Sequence, residues 1–465
     1  MSPNSNRVAA EKANEDEKTS SNKIQSKYRP LPEKKFEPRN SLLTELFESN
    51  PHIKTIHHVF IAILLSLFVN TVAHDYLRNG TIDLGLRFIY RGFGRLYVAI
   101  FGWLFFFTTT CMCYFCFMVW GRMRISLFPK SNIKTWDAMW LLPLPGYYVL
   151  TFRIAAFIVT AFQLPPASAA IVLLEQVRMM MKVHAFIRSN VPKVLIIKTQ
   201  SEAQLLLPSF RKFVYFLFVP TLVYRDEYPR TPIVRKSFVM YRVLEIAGVI
   251  FFYSFLLNRF LIPVYQDFGI SKFTWNEIII SIFESAVVGM LILLSTFFLV
   301  LHSVQNAFAE LLRFGDRMFY MDWWTCTSFS EYFRTWNIVV HDWLYTYVYK
   351  DMYEIITPRN KMLSKLAVFV VSAVVHEWVL TYMFGFFFPA MFIYFLFGGA
   401  LLSFVNAPKG TVLNVLFWYG LALGSGSLLS MYTLEYFARL NAPTGDTSWK
   451  DYVLPRWLTC DCIEK

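Results

Sequence analysis

Long apolar runs with very few charges restrict the fold of this chain more than any other feature. The clearest are VFIAILLSLFVNTVA from Val59, YVAIFGWLFFFTTTCMCYFCFMVW from Tyr97 and IIISIFESAVVGMLILLSTFFLVL from Ile278. A helix of about 20 apolar residues crosses the hydrocarbon core of a bilayer. Charged residues make up 17% of the chain, whereas soluble globular proteins contain about 25%. The sequence therefore predicts an all-α, polytopic membrane protein.

The number of spans follows from run length, aromatic borders and flanking charges. These criteria predict about nine transmembrane helices. They lie near residues 56–74, 97–120, 138–163, 211–225, 237–263, 277–306, 362–383, 385–406 and 411–436.

Composition divides the chain into a tail and a membrane domain. Residues 1–53 are polar and mixed in charge, which predicts a disordered cytosolic tail. Residues 54–465 form the predicted transmembrane domain, with a cytosolic insertion at 307–361. The net charge of +13 is attributed to Lys and Arg in cytosolic loops, and no basic face of a soluble domain indicates nucleic-acid binding.

The insertion is rich in aromatic side chains interleaved with polar ones. Such aromatics can form an interfacial belt, but a belt needs no polar partners such as Asp322, Arg334 or His341. Asn337 can donate hydrogen bonds without charge, which suits a reacting carbonyl whose oxygen becomes negative. The pattern indicates a functional site of unspecified kind.

His376 lies in the middle of the apolar run from Leu366. Ionisable residues inside spans usually face a cavity and carry function, although a packing histidine with a satisfied hydrogen bond is the alternative. A neutral imidazole there can accept a proton. Ser372, one turn earlier, is either a nucleophile or, as we expect, a supporting residue. Glu377 faces another direction and is expected to orient a neighbour or to pair with a base such as Arg242.

Three motifs resemble the membrane-bound O-acyltransferase family, and within it the sterol O-acyltransferases. They are FYMDWW at 319–324, RTWNIVVHDWLY at 334–345 and SAVVHEW at 372–378. Further stretches are similar to the same group, including YFLFVPTLVYRDEYPRTP at 215–232 and NAFAELLRFGDRMFY at 306–320. The resemblance covers roughly residues 41–460.

The resemblance implies a multi-pass enzyme of the endoplasmic reticulum membrane with a cytosolic N-terminus, which moves a long-chain acyl group from acyl-CoA to the 3-hydroxyl of a sterol. It implies a catalytic pair, His376 and Asn337. It also implies residues for acyl-CoA binding and site integrity: Phe319, Tyr320, Asp322, Trp323, Trp324, Arg334, Trp336, His341, Tyr349, Lys361 and Ser372. Acyl-CoA is then a co-substrate, and no metal or cofactor is expected. Partners are sterol, membrane lipid and further copies of the chain, as a dimer or tetramer, but no nucleic acid.

The sequence departs from the family pattern at a few positions. Thr325 follows FYMDWW where Asn is usual, and Glu331 stands where an amide is expected. Cys460 matches one cysteine of a family disulfide, but Ala442 replaces the other, so that bond is expected to be absent. A bond between Cys460 and Cys462, two residues apart, would be strained. The cysteines therefore predict no disulfide framework.

Two rival functions fit part of the sequence. A diacylglycerol acyltransferase of the same family shares FYxDWW and the histidine, but its relatives usually read NWNIPVHKW where this chain reads TWNIVVHDW. A transporter with His376 in a proton relay would explain a buried histidine but not the aromatic insertion.

Overall fold

Helices account for almost all regular structure in the part of the chain that is described. The computed structural model describes residues 31–80, 85–127, 132–197, 202, 206–402, 408–444 and 449–464. Within these ranges only isolated β-bridges occur besides helices. The predicted all-α, polytopic architecture is confirmed.

The helices with described bounds up to Leu256 are numbered α1 to α9. They are α1 (Leu42–Ser49), α2 (Pro51–Asn79), α3 (Leu86–Gly92), α4 (Leu96–Leu127), α5 (Ile133–Leu141), α6 (Pro143–Ala161), α7 (Pro166–Ile196), α8 (Phe210–Phe218) and α9 (Lys236–Leu256).

The second half contains shorter helices and several wider, π-helical turns. The α-helices are α10 (Ile262–Tyr265), α11 (Trp275–Thr296), α12 (Gln305–Leu311), α13 (Phe329–Thr335), α14 (Ile338–Leu344), α15 (Lys361–Phe384), α16 (Ala390–Ile393), α17 (Ala400–Leu402), α18 (Thr411–Asn441), α19 (Trp449–Val453) and α20 (Arg456–Thr459). The π-helical turns are Leu257–Leu261, Phe297–Val304, Tyr345–Tyr349, Met352–Ile356 and Tyr394–Gly399.

Seven helical segments within the described residues are long and apolar enough to cross a membrane, so the count of nine is not confirmed. They are Pro51–Arg78, Leu86–Ser126, Ile133–Ala161, Lys236–Tyr265, Trp275–Leu311, Lys361–Phe384 and Thr411–Asn441. The two remaining predicted spans contain shorter helices. The span predicted at 211–225 holds the nine-residue α8, which extends only about 13 Å. The span predicted at 385–406 holds the apolar helix Ala390–Gly399.

Local sequence explains where α15, which carries His376, begins and ends. The Asn360 side chain accepts a hydrogen bond from the Leu363 N–H at 3.0 Å and caps the first turn. Gly385 follows the last turn with φ of 79°. Glycine adopts this left-handed conformation without a steric penalty. The helix is therefore fixed at both ends by single residues.

A close crossing of α11 and α18 supports the second half of the membrane domain. A Cβ added at Gly426 would lie 2.4 Å from the Ala286 Cα, and one added at Gly289 would lie 2.7 Å from the Gly426 N. Only residues without a side chain allow this approach. The crossing fixes α18, whose Asn414 and Trp418 both donate to the Trp324 carbonyl at 3.1 Å.

Residues 31–41, here called the N-terminal segment, lie against the insertion. The backbone of Arg39 pairs with Gly315 and Arg317, and the Arg39 guanidinium binds the Asp316 carboxylate at 2.7 Å. The division between tail and membrane domain at residue 53 stays a prediction. Residues 1–30 of the predicted tail lie outside the described residues, and α1 follows the N-terminal segment.

One disulfide is present, which corrects the expectation from the cysteine spacing. Cys460 and Cys462 are bonded, with their Cα atoms 5.2 Å apart. Phe273 donates its N–H to the Cys462 carbonyl and accepts from the Glu464 N–H. This pairing holds the C-terminal residues in a curve that brings the two cysteines together. Cys111, Cys113, Cys116 and Cys326 are free thiols.

Candidate active site

The backbone of its own helix sets the tautomer of the neutral His376 ring. Its Nδ1 lies 2.7 Å from the Ser372 carbonyl oxygen. A carbonyl can only accept a hydrogen bond, so Nδ1 carries the proton and Nε2 of the neutral ring is left as an acceptor. The imidazole stacks on Phe395, with ring centroids 4.7 Å apart. Nε2 is therefore the group available to take a proton.

The Ser372 hydroxyl does not form a nucleophile–base pair with His376. Its Oγ lies 3.4 Å from Nδ1, the nitrogen whose hydrogen already points to the Ser372 carbonyl. A base must offer a lone pair to the hydroxyl that it activates. This arrangement favours the supporting role for Ser372 over the nucleophilic one.

The His376 side chain is accessible within its helix. More than a third of the residue's surface is exposed. Phe395 covers one face of the ring, and residues of α15 cover its edge. No described residue forms a hydrogen bond with Nε2, which therefore remains available to a substrate hydroxyl.

Glu377 holds the helix that covers His376. Its carboxylate accepts from the Phe392 N–H at 3.0 Å and from the Tyr432 hydroxyl at 3.3 Å. Phe392 lies in the helix that carries Phe395, the ring stacked on His376. The expectation that Glu377 orients a neighbour is therefore confirmed.

The suggested pairing of Glu377 with Arg242 is wrong. Arg242 binds Glu245 one turn along its own helix at 2.9 Å, and its guanidinium also contacts His302. The cation therefore pairs with adjacent residues on α9 and in the Phe297–Val304 turn, whereas Glu377 binds the Phe392 backbone and the Tyr432 hydroxyl.

Asn337 combines a structural hydrogen bond with a free donor. Its side-chain oxygen accepts from the Val340 N–H at 3.1 Å and caps α14. That bond fixes the orientation of the amide, so the NH₂ group points away from the helix end. No described residue accepts a hydrogen bond from this NH₂ group. The amide is half-buried and can donate to a bound molecule.

No described hydrogen bond joins Asn337 to His376. The connection between their elements runs through aromatic rings. Phe333 of α13 lies with its ring centroid 5.8 Å from that of Phe395, which in turn stacks on His376. Phe395 thus contacts both α15, which carries His376, and α13, which precedes Asn337.

The FYMDWW motif forms a buried framework beside Asn337. The Phe319 carbonyl accepts from the Ile338 N–H at 2.9 Å, which ties the motif to the start of α14. Tyr320 is fully buried and its hydroxyl lies 2.6 Å from His302 Nδ1. Trp323 is also buried and packs against Trp336, with ring centroids 4.6 Å apart. These residues support the site more than they line it.

The exposed end of the motif is a turn closed by Thr325. Its hydroxyl donates to the Asp322 carbonyl at 2.8 Å, and its N–H donates to the same oxygen at 3.0 Å. Asp322 is exposed, and Trp324 is half-buried. The departure from the usual Asn is therefore accommodated by a hydroxyl that completes the turn.

Four stacked rings follow Asn337 at intervals of four residues and lie on the same helical face. His341 stacks on Tyr345 at 6.4 Å, Tyr345 on Tyr349 at 5.7 Å and Tyr349 on Tyr353 at 5.9 Å between ring centroids. We call these four residues the aromatic row. Sequence reasoning selected His341 and Tyr349 but missed Tyr345 and Tyr353. Their regular spacing of four residues is the signal that would have found them.

Two cations from the predicted set are exposed. The Arg334 guanidinium donates one bond, to the Ser330 carbonyl at 3.1 Å, and is otherwise accessible. Lys361 is the first residue of α15 and is also exposed. Both can bind an anionic group from solution.

Among the ionisable groups of the insertion with shifted pKa values, Cys326 and Asp342 bear on the chemistry. Burial raises the pKa of the Cys326 thiol to about 11, even though the Thr335 hydroxyl partly offsets this effect. Burial also acts to raise the pKa of Asp342, but contacts with His341 and the Lys34 ammonium outweigh it and lower that pKa. Among the described residues, no cluster of His, Cys, Asp and Glu could hold a metal ion.

Comparison with known proteins shows the family of this chain. The family model for the membrane-bound O-acyltransferase family matches residues 103–434. Sterol O-acyltransferase 1 of Cricetulus griseus is 39% identical over 437 residues, which cover 92% of this chain and 78% of the relative. Sterol O-acyltransferase 1 of Mus musculus is 40% identical, over 91% of this chain and 79% of its own length. Sterol O-acyltransferase 2 of Homo sapiens is 38% identical, over 92% and 80%. The chain belongs to the membrane-bound O-acyltransferase family.

Proposed function

We propose that this protein is a sterol O-acyltransferase, which transfers a long-chain acyl group from acyl-CoA to the 3-hydroxyl of a sterol and so forms sterol esters. The observation that carries the proposal is the tautomer of His376 and its location inside a span. A neutral imidazole inside a span, with Nδ1–H on a backbone carbonyl and no described partner at Nε2, is suited to act as a general base for a lipid hydroxyl. The similarity to sterol O-acyltransferases 1 and 2 supports a sterol as the acceptor.

The reaction is a direct transfer. His376 Nε2 takes the proton of the sterol hydroxyl while that oxygen attacks the thioester carbonyl. The tetrahedral intermediate then expels the thiolate of coenzyme A, which receives the proton from Nε2–H. The ester carbonyl reforms, and the imidazole returns to its neutral state with no net change in protons.

Asn337 stabilises the negative oxygen of the intermediate. Its NH₂ group has no acceptor among the described residues, and its orientation is fixed by the cap bond to Val340. A donor that is already oriented costs no reorganisation when charge develops. The apolar span that carries His376 excludes water from its surroundings, which protects the thioester from hydrolysis.

The exposed part of the site suits coenzyme A. The Arg334 and Lys361 cations are placed for its phosphates, and the aromatic row offers flat rings for its nucleotide. Of the remaining predicted contacts, Trp336 packs against the buried Trp323, and the turn at Asp322 and Trp324 offers an exposed carboxylate and a half-buried ring. The chemistry uses no metal or cofactor, and acyl-CoA is a co-substrate.

The proposal also includes the membrane location and the assembly of the enzyme. We place it in the endoplasmic reticulum membrane with a cytosolic N-terminus, because acyl-CoA is cytosolic and the net charge of +13 favours basic cytosolic loops. We also propose that it assembles as a homo-oligomer, a dimer or tetramer, as the family resemblance implies.

The test is a competition assay with purified protein in lipid nanodiscs. Labelled oleoyl-CoA is offered with cholesterol, a plant sterol and diacylglycerol together, and the labelled esters are separated. We expect sterol ester as the main product and its loss in His376→Ala. His52→Ala is the matched control, because His52 is exposed at the start of α2, far along the chain from the site. Diacylglycerol as the preferred acceptor would refute the sterol assignment.

A further inference from the structure

The N-terminal segment places a lysine directly behind the aromatic row. The Lys34 ammonium lies 2.7 Å from the Asp342 carboxylate, and the two side chains are only 17% and 21% exposed. Asp342 follows His341 in α14, and its carboxylate lies 3.8 Å from His341 Nδ1. Lys34 therefore contacts the carboxylate that is nearest to a predicted acyl-CoA contact.

The segment that carries Lys34 is fixed on both sides of it. Phe36 packs edge-on against Tyr228, with ring centroids 5.1 Å apart, and Arg39 binds Asp316. On the other side, the Leu31 N–H donates to the Glu354 carboxylate at 2.9 Å, next to the last ring of the row. The ion pair between Lys34 and Asp342 is thus part of a docked segment and is not a chance contact of a free side chain.

An unpaired carboxylate at Asp342 would oppose binding of acyl-CoA. Coenzyme A carries several phosphate charges, and partly buried charges are screened less than exposed ones. The Asp342 carboxylate also attracts the imidazole edge of His341, so without a cation it would draw that ring toward itself. A cation at 2.7 Å cancels most of this field.

We propose that Lys34 is a positioning residue of the acyl-CoA site, which neutralises Asp342 and so keeps His341 free to contact the anionic co-substrate. This inference rests on the proposed function. It extends the site to a residue outside the range 103–434 that the family model matches. The N-terminal segment is then a functional part of the enzyme and not only its attachment to the tail.

The test measures kinetic constants for oleoyl-CoA at saturating sterol. Lys34→Met should raise KM by roughly three- to tenfold with kcat nearly unchanged, as expected for loss of one partly buried charge pair. Adding Asp342→Asn to Lys34→Met should return KM to the wild-type value, because the carboxylate that needs neutralising is gone. Lys35→Met is the matched control, since Lys35 is the adjacent, exposed lysine.

The outcomes separate this inference from the function on which it rests. An active wild type whose KM is unchanged in Lys34→Met, or not restored by Asp342→Asn, overturns the role of Lys34 and leaves the function standing. A wild type that forms no sterol ester overturns both. If Lys34→Met lowers the unfolding temperature, Asp342→Asn alone still decides: it leaves the Lys34 cation unopposed, so its KM should fall below that of the wild type, and an unchanged or higher KM overturns the proposal.

Discussion

Substitutions of Asn337 should distinguish the contribution of its side chain to stability from its contribution to catalysis. The side-chain oxygen caps α14 through the Val340 N–H at 3.1 Å, and the NH₂ group is the free donor. Asn337→Asp keeps an acceptor for the cap and removes the donor. Asn337→Ala removes both. The two variants therefore differ in stability but share the loss of the donor.

The magnitudes follow from these two hydrogen bonds. Loss of an N-cap costs about 0.5–2 kcal/mol of stability. Loss of one oxyanion donor lowers the turnover by roughly 100- to 1,000-fold. We expect Asn337→Ala to show both losses, and Asn337→Asp to unfold near the wild-type temperature while losing activity by at least the same factor.

The assay pairs initial rates of sterol ester formation with thermal unfolding in detergent. Asn360→Ala is the matched control, because Asn360 caps α15 through the Leu363 N–H at 3.0 Å in the same way. It should lose a similar amount of stability but keep most of its activity. An Asn337→Asp enzyme with more than about a tenth of the wild-type rate would refute the donor role.

Three further predictions concern the covalent route and the helix crossing. Cys326→Ser should keep nearly full activity, and a maleimide should label the wild-type thiol only slowly at neutral pH, because a pKa of about 11 leaves almost no thiolate. Initial rates with both substrates varied should give intersecting lines, as for direct transfer, whereas parallel lines or acyl label retained on the protein would indicate an acyl-enzyme. Gly426→Ala should lower stability by about 1–3 kcal/mol through overpacking against α11, measured by thermal unfolding. Gly424→Ala, which has open space at the added Cβ, should not, and equal effects of the two would contradict the role of the crossing.

The sequence predicted the class of fold but not the number of spans, and α8 shows why. Its run of Phe and Leu has the composition of a span, yet Phe213 and Phe216 are fully buried in protein. The helix ends at Phe218, where the Lys182 ammonium binds the Phe216 and Val219 carbonyls. Composition alone does not distinguish a short core helix from a bilayer-spanning one, because both exclude water.

The candidate residues at the site came from motifs, and the structure adds the contacts between them. Side-chain periodicity could have indicated Tyr345 and Tyr353, since each lies four residues from a predicted contact. The partner of Glu377 could not have been predicted, because it is the backbone of a helix 15 residues away in sequence. Nor could the ion pair of Lys34 with Asp342, which depends on how the N-terminal segment crosses the insertion.

The carbonyl that holds the His376 proton belongs to the backbone, and this affects how the site responds to mutation. In many enzymes a carboxylate side chain orients the catalytic histidine, so a single substitution can remove it. Here every amino acid at position 372 supplies the same oxygen as long as α15 stays helical. Substitutions at position 372 should therefore keep the Nδ1 hydrogen bond, whereas a proline within the middle of α15 would break the helix. The hydrogen bond to Nδ1 does not depend on the side chain at position 372. That side chain can therefore vary with the substrate.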